Sequence, residues 1–387
     1  MKTQSFDVIV AGLGAFGAAT VRAAAAAGSR VLGLDARMPP HSFGSSHGRT
    51  RILREAYFED PRYVTLVRRS LEAWQALEGA AGRTLFRATG CLALGPADGR
   101  LLAGSLRSAL AHDVPHEHLD AAEIRSRFPI AWVPDDFAGL LEHRAGVLDA
   151  EGGVEAMVAS ARMDGALLRP GVALRRWEAD GAPEGRSVMV ETSEGSYAGG
   201  SLVLALGPWL GRWLPSPALR VTREVVHWFR ASPGAPSLHA GALPVTLWEP
   251  QPGRVHYTIP DAGDGLKVGF HRAGSTVHPD EVDRSVGDEE VAGARRFLRD
   301  HLPSADGLHV ASSVCMYTNT ADGHFLVGPH PDSPGLVVVG GGSGHGFKFA
   351  PALGDAAARW ALDDPPNGDM AFLDPRRFHR RAGPADP

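Results

Sequence analysis

The chain has 387 residues, 44% of them hydrophobic and 21% charged, with 39 basic against 44 acidic side chains and a formal net charge of -5. That balance excludes a polyelectrolyte partner such as nucleic acid as the default, and the length lets one large or two closely packed domains bury a core without disulfide staples. Only Lys2, Lys267 and Lys348 among the basic side chains are lysines, so arginine carries nearly all of the positive charge.

Met1 to Ser5 leads straight into an apolar run with no signal peptide, and Ala23 to Ala27 is too short an apolar stretch to span a bilayer. Cys91 and Cys315 are the only cysteines and lie far apart. Both features fit a soluble cytoplasmic protein, in which a cysteine has an individual role or none.

Phe6 to Ala11 reads as a strand buried on both faces, and Gly12-Leu13-Gly14-Ala15-Phe16-Gly17 follows it. A helix over Ala18 to Ala27, a stop at Gly28 and a second strand from Arg30 to Leu34, ending in Asp35, complete a βαβ unit with a dinucleotide fingerprint. Glycine is needed at 12 for the tight turn, at 14 for backbone approach to a pyrophosphate, and at 17 for helix-to-strand packing. Asp35 can accept hydrogen bonds from a ribose. Met38 to Arg54, dense in Ser, His, Gly and Arg, is predicted to be a loop, and Asp60 to Leu77 an amphipathic helix.

Strands are predicted over Thr84 to Leu94 and Phe137 to Leu148, with a helical stretch at Ala121 to Phe128 between them. Glu151 to Met163 reads as a helix, Val188 to Glu191 as a strand and Ser201 to Ala205 as a second fully buried strand. So late a return to a parallel-type strand predicts a discontinuous nucleotide domain. From Val221 to His271 the pattern alternates, as in a separate antiparallel sheet, and Glu289 to His301 is a helix. Leu336 to Val339 runs into Gly340-Gly341-Gly342-Ser343-Gly344-His345-Gly346-Phe347-Lys348-Phe349, predicted to open a helix reaching Leu362, with Pro365 to Pro387 loosely held. Two glycine-rich strand-to-helix junctions are thus present. The first suits a pyrophosphate, and the second offers NH groups and a positive helix end to the N1/O2 edge of a flavin.

Gly12 to Gly17 with Asp35, Ser45-Ser46-His47-Gly48, Thr50-Arg51-Ile52-Leu53-Arg54, Gly265 to His271, Cys315-Met316-Tyr317-Thr318 and Ser343 to Phe349 together resemble the monomeric sarcosine oxidase family, which includes N-methyltryptophan oxidase and pipecolate oxidase. The match runs from about Phe6 to Leu362. The resemblance implies an α/β fold: a Rossmann-type FAD-binding domain with a second α+β substrate domain on a mostly antiparallel sheet. We assign residues 1–85, 145–215 and 320–387 to the first and 86–144 and 216–319 to the second.

The implied activity is oxidation of the C–N bond of a secondary amino acid or related amine. Hydride passes to FAD and oxygen reoxidises it, giving an imine and hydrogen peroxide, in a monomer that needs neither metal, membrane nor nucleic acid. By resemblance, the sulfur of Cys315 joins the 8α-methyl of FAD, a step that needs a thiolate, whereas Cys91 is read as a small buried side chain. Arg51 lies beside the flavin, with His47 and Arg54 flanking the ring. Thr50, Gly344, Gly346 and Lys348 complete the cofactor-binding set with the glycines and Asp35. Lys348, acting with Arg51, resembles the carboxylate-binding lysine. Tyr257, Tyr317 and His271 match residues of the substrate pocket, His271 tuning the amine's protonation state. Lys267 matches the residue that holds a water over the flavin and stabilises superoxide.

Four positions depart from the pattern. Arg49 stands where an acid is usual, Leu247 where a methionine is, His256 where an aromatic is, and Gly342 where a phenylalanine precedes Ser343. The lost bulk at 247 and 342 points away from sarcosine toward a larger N-alkyl or cyclic amino acid. The Ser-Ser-His-Gly loop is closer to the pipecolate oxidase form. A flavin-dependent dehydrogenase or biosynthetic tailoring oxidase of the same fold is the alternative. A nicotinamide enzyme leaves Cys315 and the second junction without a role, and a serine hydrolase would need a closing glycine that Gly-Gly-Ser-Gly-His lacks.

Overall fold

In the computed structural model, which describes residues 4–128, 132–180, 187–214, 217–366 and 368–378, the apolar run of the first strand, Gln4–Ala11, is the centre of an eight-stranded sheet. It pairs in parallel with Val31–Asp35 on one side and Ser196–Leu204 on the other, and the latter pairs in parallel with Leu336–Gly340. Parallel strands need both faces covered. On one face pack the helices Ala15–Ala26, Ala150–Met163 and Ala350–Ala361. The other face buries a second apolar cluster around Ile9, Leu34, Val188, Leu202 and Leu210.

The second sheet also has eight strands, in the order His309–Asn319, Arg220–Phe229, Leu266–Phe270, Arg254–Ile259, Val245–Gln251, Cys91–Pro96, Phe137–Glu142 and Glu117–Asp120. Every neighbouring pair is antiparallel except Val245–Gln251 with Cys91–Pro96. The helix Asp288–His301 covers one face through Phe297 and Leu298.

Four expectations need correction. The segment Met38 to Arg54 is not all loop: Thr50–Leu53 is a strand, paired with Gly146–Asp149, which also takes Phe86–Ala88 into a three-stranded sheet. For the same reason Thr84 to Leu94 and Phe137 to Leu148 each divide into two strands, the first at Gly90 with φ 75°. The last helix begins later than predicted. Gly341, Ser343 and Gly344 take φ of 63°, 46° and 82°, which no right-handed helix can include, so Phe347–Phe349 forms a 3-10 turn and the helix starts at Ala350. Nor is the C-terminal stretch loosely held where it is described: Gly368–Leu373 and Pro375–Phe378 form 3-10 turns that bury Met370 and Leu373 in the core, while residues 367 and 379–387 lie outside the described residues.

One helix ties the sheets to the second junction. Tyr63–Ala81 buries Trp74 completely, and the indole Nε1 donates to the carbonyl of Lys348 at 2.9 Å while its ring stacks on Phe347 at 5.8 Å. Among the described residues, no helix is long and apolar enough to cross a membrane.

The three fingerprint glycines differ in what constrains them. A Cβ at Gly17 would collide with the carbonyl of Gly12, and one at Gly12, already at φ 93°, would strike the carbonyl of Ala205. At Gly14 the nearest atom would be Ser46 Oγ at 3.2 Å, and no backbone lies within contact. Gly17→Ala should therefore cost the apoprotein about 3 kcal/mol. Gly14→Ala should cost it about 1 kcal/mol or less, as at a helix N-cap. Equal losses in urea unfolding of the two apoproteins would contradict this separation.

Candidate active site

A single cavity of about 510 Å³ runs from the first glycine turn to the second sheet, lined by Gly12, Asp35, Ser46, Cys315, Tyr257 and Lys348 among others. At the nucleotide end, Asp35 closes the second strand. Its Oδ2 accepts from the NH of Leu13 at 2.7 Å and its Oδ1 from the NH of Arg37 at 2.8 Å. Ser46 Oγ accepts from the NH of Ala15 at 3.0 Å, so the loop after the second strand folds back over the first helical turn.

The loop and the Thr50–Leu53 strand carry the middle of the site. Arg51 donates to the carbonyls of Thr50, Ser45 and His47 at 2.8, 2.9 and 2.6 Å, and its Nη2 lies 4.0 Å from Cys315 Sγ. Lys267, 3% exposed, donates to the carbonyls of Gly48 at 2.7 Å and Thr50 at 3.0 Å. Burial, then Arg51, pushes the Lys267 ammonium well below its ordinary pKa. Burial, then Arg51, Arg284 and Lys267, takes His47 down to about 4, so its ring is neutral near pH 7.

Cys315 follows from register. It sits on His309–Asn319 opposite Glu224 and points to the cavity, as does Tyr317 two residues on. Cys91, by contrast, is buried outside the cavity lining, and burial followed by Glu142 raises its thiol to about 12.

The far end is a cluster of charge under aromatic cover. Arg54 and Glu59 form a buried ion pair at 2.6 Å. Burial alone would raise the Glu59 carboxyl, but Arg54, His345 and Lys348 override it and hold it at about 2. Lys348 donates to the carbonyl of His345 at 3.0 Å and to the Tyr57 hydroxyl at 3.4 Å, while burial and then Arg54 lower its ammonium to about 7. Lys348 therefore groups with Arg54 and Glu59, and Arg51, expected beside it, is turned to the loop carbonyls instead. Tyr257 and Tyr317 both line the cavity, and the His271 ring packs on Tyr317 at 5.7 Å. Burial, then Arg272, takes His271 down to about 3. Gly344 must be glycine: beyond its φ of 82°, a Cβ there would run into the Tyr317 ring. A Cβ at Gly346 would reach Phe16 Cζ at 2.7 Å.

Tyr57, Glu59 and His345 are site residues that no motif singled out as functional. Their signal was proximity to Arg54 and Lys348 in sequence. Of the departures from the family pattern, Leu247 and Gly342 line the cavity, Arg49 points outward to Asp264 at 3.1 Å, and His256 packs on Phe270 and Phe297 outside the cavity lining. The space opened by Gly342 is partly taken by Phe16, whose Cζ would lie 3.6 Å from a Cβ there.

The residues present fit a flavin dinucleotide. Gly14 is free of backbone neighbours that would account for a glycine, and His47 Nε2 and Thr50 Oγ1 are buried polar atoms with no partner in the protein. His47 and Thr50 both line the cavity, where a ring bearing donors and acceptors would satisfy them.

The comparisons agree with this geometry. The FAD dependent oxidoreductase family matches residues 7–360. A monomeric sarcosine oxidase of Streptomyces avermitilis is 39% identical over 97% of this chain and 98% of its own length. An N-methyl-L-tryptophan oxidase of Salmonella heidelberg is 36% identical over 97% and 100%. Among solved structures, NikD, an unusual amino acid oxidase essential for nikkomycin biosynthesis, superposes with a TM-score of 0.83 at 27% identity over 96% of this chain and 98% of its own. The chain belongs to the FAD dependent oxidoreductase family and is an oxidoreductase of its monomeric sarcosine oxidase and N-methyltryptophan oxidase branch.

Proposed function

We propose that this chain oxidises the C–N bond of a secondary amino acid bulkier than sarcosine, as a cytoplasmic monomer with FAD linked covalently to Cys315. The observation that carries the reading is a cavity continuous from the nucleotide turn to a buried lysine and arginine, with Cys315 and Arg51 midway. In this reading, residues 1–85, 145–215 and 320–387 form the FAD-binding domain and 86–144 and 216–319 the substrate domain.

When bound, FAD supplies hydride acceptance from the carbon beside the substrate nitrogen and delivery of two electrons to oxygen, so that imine and hydrogen peroxide leave. Gly12 and Gly14 would admit its pyrophosphate, with Gly17 letting the helix pack closely behind them, and Asp35 would hold its ribose. His47, Thr50, Arg51, Gly344 and Gly346 would surround the ring.

The protein's own part is positional and electrostatic. Arg54 is neutralised by Glu59, which leaves Lys348 as the uncompensated cation for a substrate carboxylate. Tyr257, Tyr317 and Leu247 wall the space for the N-substituent. His271 offers an unprotonated ring nitrogen to the amine; with a pKa near 3 it orients rather than deprotonates, so the amine loses its proton to water. Lys267 provides fixed positive charge where oxygen is reduced. Arg51 Nη2 lies 4.0 Å from Cys315 Sγ, the atom through which a covalent link would form.

The covalent link is tested by acid precipitation and intact mass. The pellet should stay yellow and the chain gain the mass of one FAD, and a colourless pellet with the unmodified chain mass excludes the link. Lys267→Met should slow reoxidation by oxygen about 100-fold or more in stopped flow, with a much smaller effect on anaerobic reduction by substrate. Equal slowing of both half-reactions removes Lys267 from the oxygen step. Because Lys348 binds as a cation with a pKa of about 7, affinity for a simple carboxylate inhibitor should be constant at low pH and fall as pH rises through that value. Lys348→Ala should weaken and flatten the profile; an unaltered profile, read from flavin absorbance, rules the residue out.

A further inference from the structure

The turn that separates Lys267 from solvent is strained and gripped from both sides. Gly48 and Arg49 both have positive φ, 100° and 66°. Glycine reaches this region freely, whereas arginine does so only where its surroundings impose it. The imposing group is Glu151, in the first turn of the helix Ala150–Met163. Its Oε1 accepts from the NH of Gly48 at 2.8 Å and of Arg49 at 3.1 Å, and its Oε2 accepts from the NH of Arg49 at 2.9 Å. Two successive amides on one carboxylate form a small anion nest.

On the carbonyl side Lys267 takes the oxygens of Gly48 and Thr50, sharing them with the NH of Thr50 and with Arg51, while the Arg49 carbonyl accepts from the NH of Ala150 at 2.9 Å. Behind the turn lies a pocket of about 320 Å³ open to the surface, lined by Arg49, Glu151, Trp228 and His47 among others. The Arg49 side chain leaves outward across Trp228 at 4.8 Å, so it does not fill the space under the peptide.

We propose that Glu151 is a positioning residue for Lys267, acting through the Gly48–Thr50 backbone: it fixes the amide side of the turn so that its carbonyls stay aimed at the ammonium, and it balances that buried charge across the peptide. The inference rests on the assignment of Lys267 to the oxygen step. Around the ammonium, burial, Arg51 and Arg49 favour the neutral amine, while Cys315 and Glu151 favour the cation. His47 is neutral near pH 7. Among the largest influences on Lys267 from the described residues, Glu151 is the carboxylate.

The lysine content makes a direct test possible. Holoenzyme labelled with ¹³C at lysine Cε should give three resonances, for Lys2, Lys267 and Lys348, and loss of one in Lys267→Met identifies the peak to follow. In Glu151→Gln its titration midpoint should fall by about 1 pH unit, with reoxidation by oxygen slowed more than reduction by substrate. An unchanged midpoint overturns the proposal. Should Glu151→Gln fail to fold, Glu151→Asp carries the same test: a smaller shift in the same direction supports it and no shift overturns it. If Lys267 has no part in the oxygen step, Lys267→Met slows both half-reactions alike while the midpoint shift persists, which separates that failure from this one.

Discussion

Two lysine ammonium groups are buried in this protein with only neutral oxygen atoms as hydrogen-bond partners. Lys267 is 3% exposed and Lys348 5%, and each donates to neutral carbonyl or hydroxyl oxygens. Removing a cation from water without a counter-ion is costly, and the cost appears as a lowered pKa rather than as an unfolded chain. The consequence is a cavity that stabilises arriving or developing negative charge at two separate places. Much of the surrounding architecture supplies the oxygens these ammonium groups need. One oxygen for each comes from a turn that passes through positive φ, Gly48–Arg49 for Lys267 and Ser343–Gly344 before the His345 carbonyl for Lys348. The Tyr63–Ala81 helix then locks the second turn by taking the Lys348 carbonyl on Trp74.

The nucleotide half was legible because its signals are local. A strand, a glycine turn, a helix and an acid at the next strand end occur within one stretch, and the different reasons for glycine at 14 and 17 reappear as an open position and a backbone collision. The parallel return was legible over Ser201 to Ala205 from the apolar Leu202-Val203-Leu204, whereas its first half, Ser196 to Gly200, carries no such run. Thr50–Leu53 was not. Its sequence, Thr-Arg-Ile-Leu, has no strand pattern of its own, and it becomes a strand only because Gly146–Asp149, far away in the chain, presents a matching edge.

In the site, residue identities were more legible than partnerships. Arg51 and Lys348 each stood out through the motifs around them, but which cation shares a cluster with which depends on where the chain turns after Leu53. That turn is set by Glu142, a buried carboxylate on the second sheet that accepts from the amides of Glu55 and Ala56. It carries Arg54, Tyr57 and Glu59 toward Lys348 and leaves Arg51 behind at the loop carbonyls. Glu151 escaped for the same reason: a glutamate at a helix start reads as a favourable charge at the dipole, and only the folded turn supplies the two amides it binds.

The scarcity of lysine acquires a physical meaning at these two positions. A guanidinium spreads five donors over a plane and stays charged at any accessible pH, so burying it calls for a carboxylate, and Arg54 has Glu59. An ammonium is compact, is satisfied by two or three oxygens at one point, and has a protonation equilibrium that its surroundings can move. At Lys348 that equilibrium lies near neutrality, so the charge is strengthened by the very carboxylate it binds. At Lys267 burial and then Arg51 lower it, and Cys315 and Glu151 oppose them. Arginine at either place would remove that response and would need a buried acid of its own, whose negative charge would cancel the field that makes the site useful.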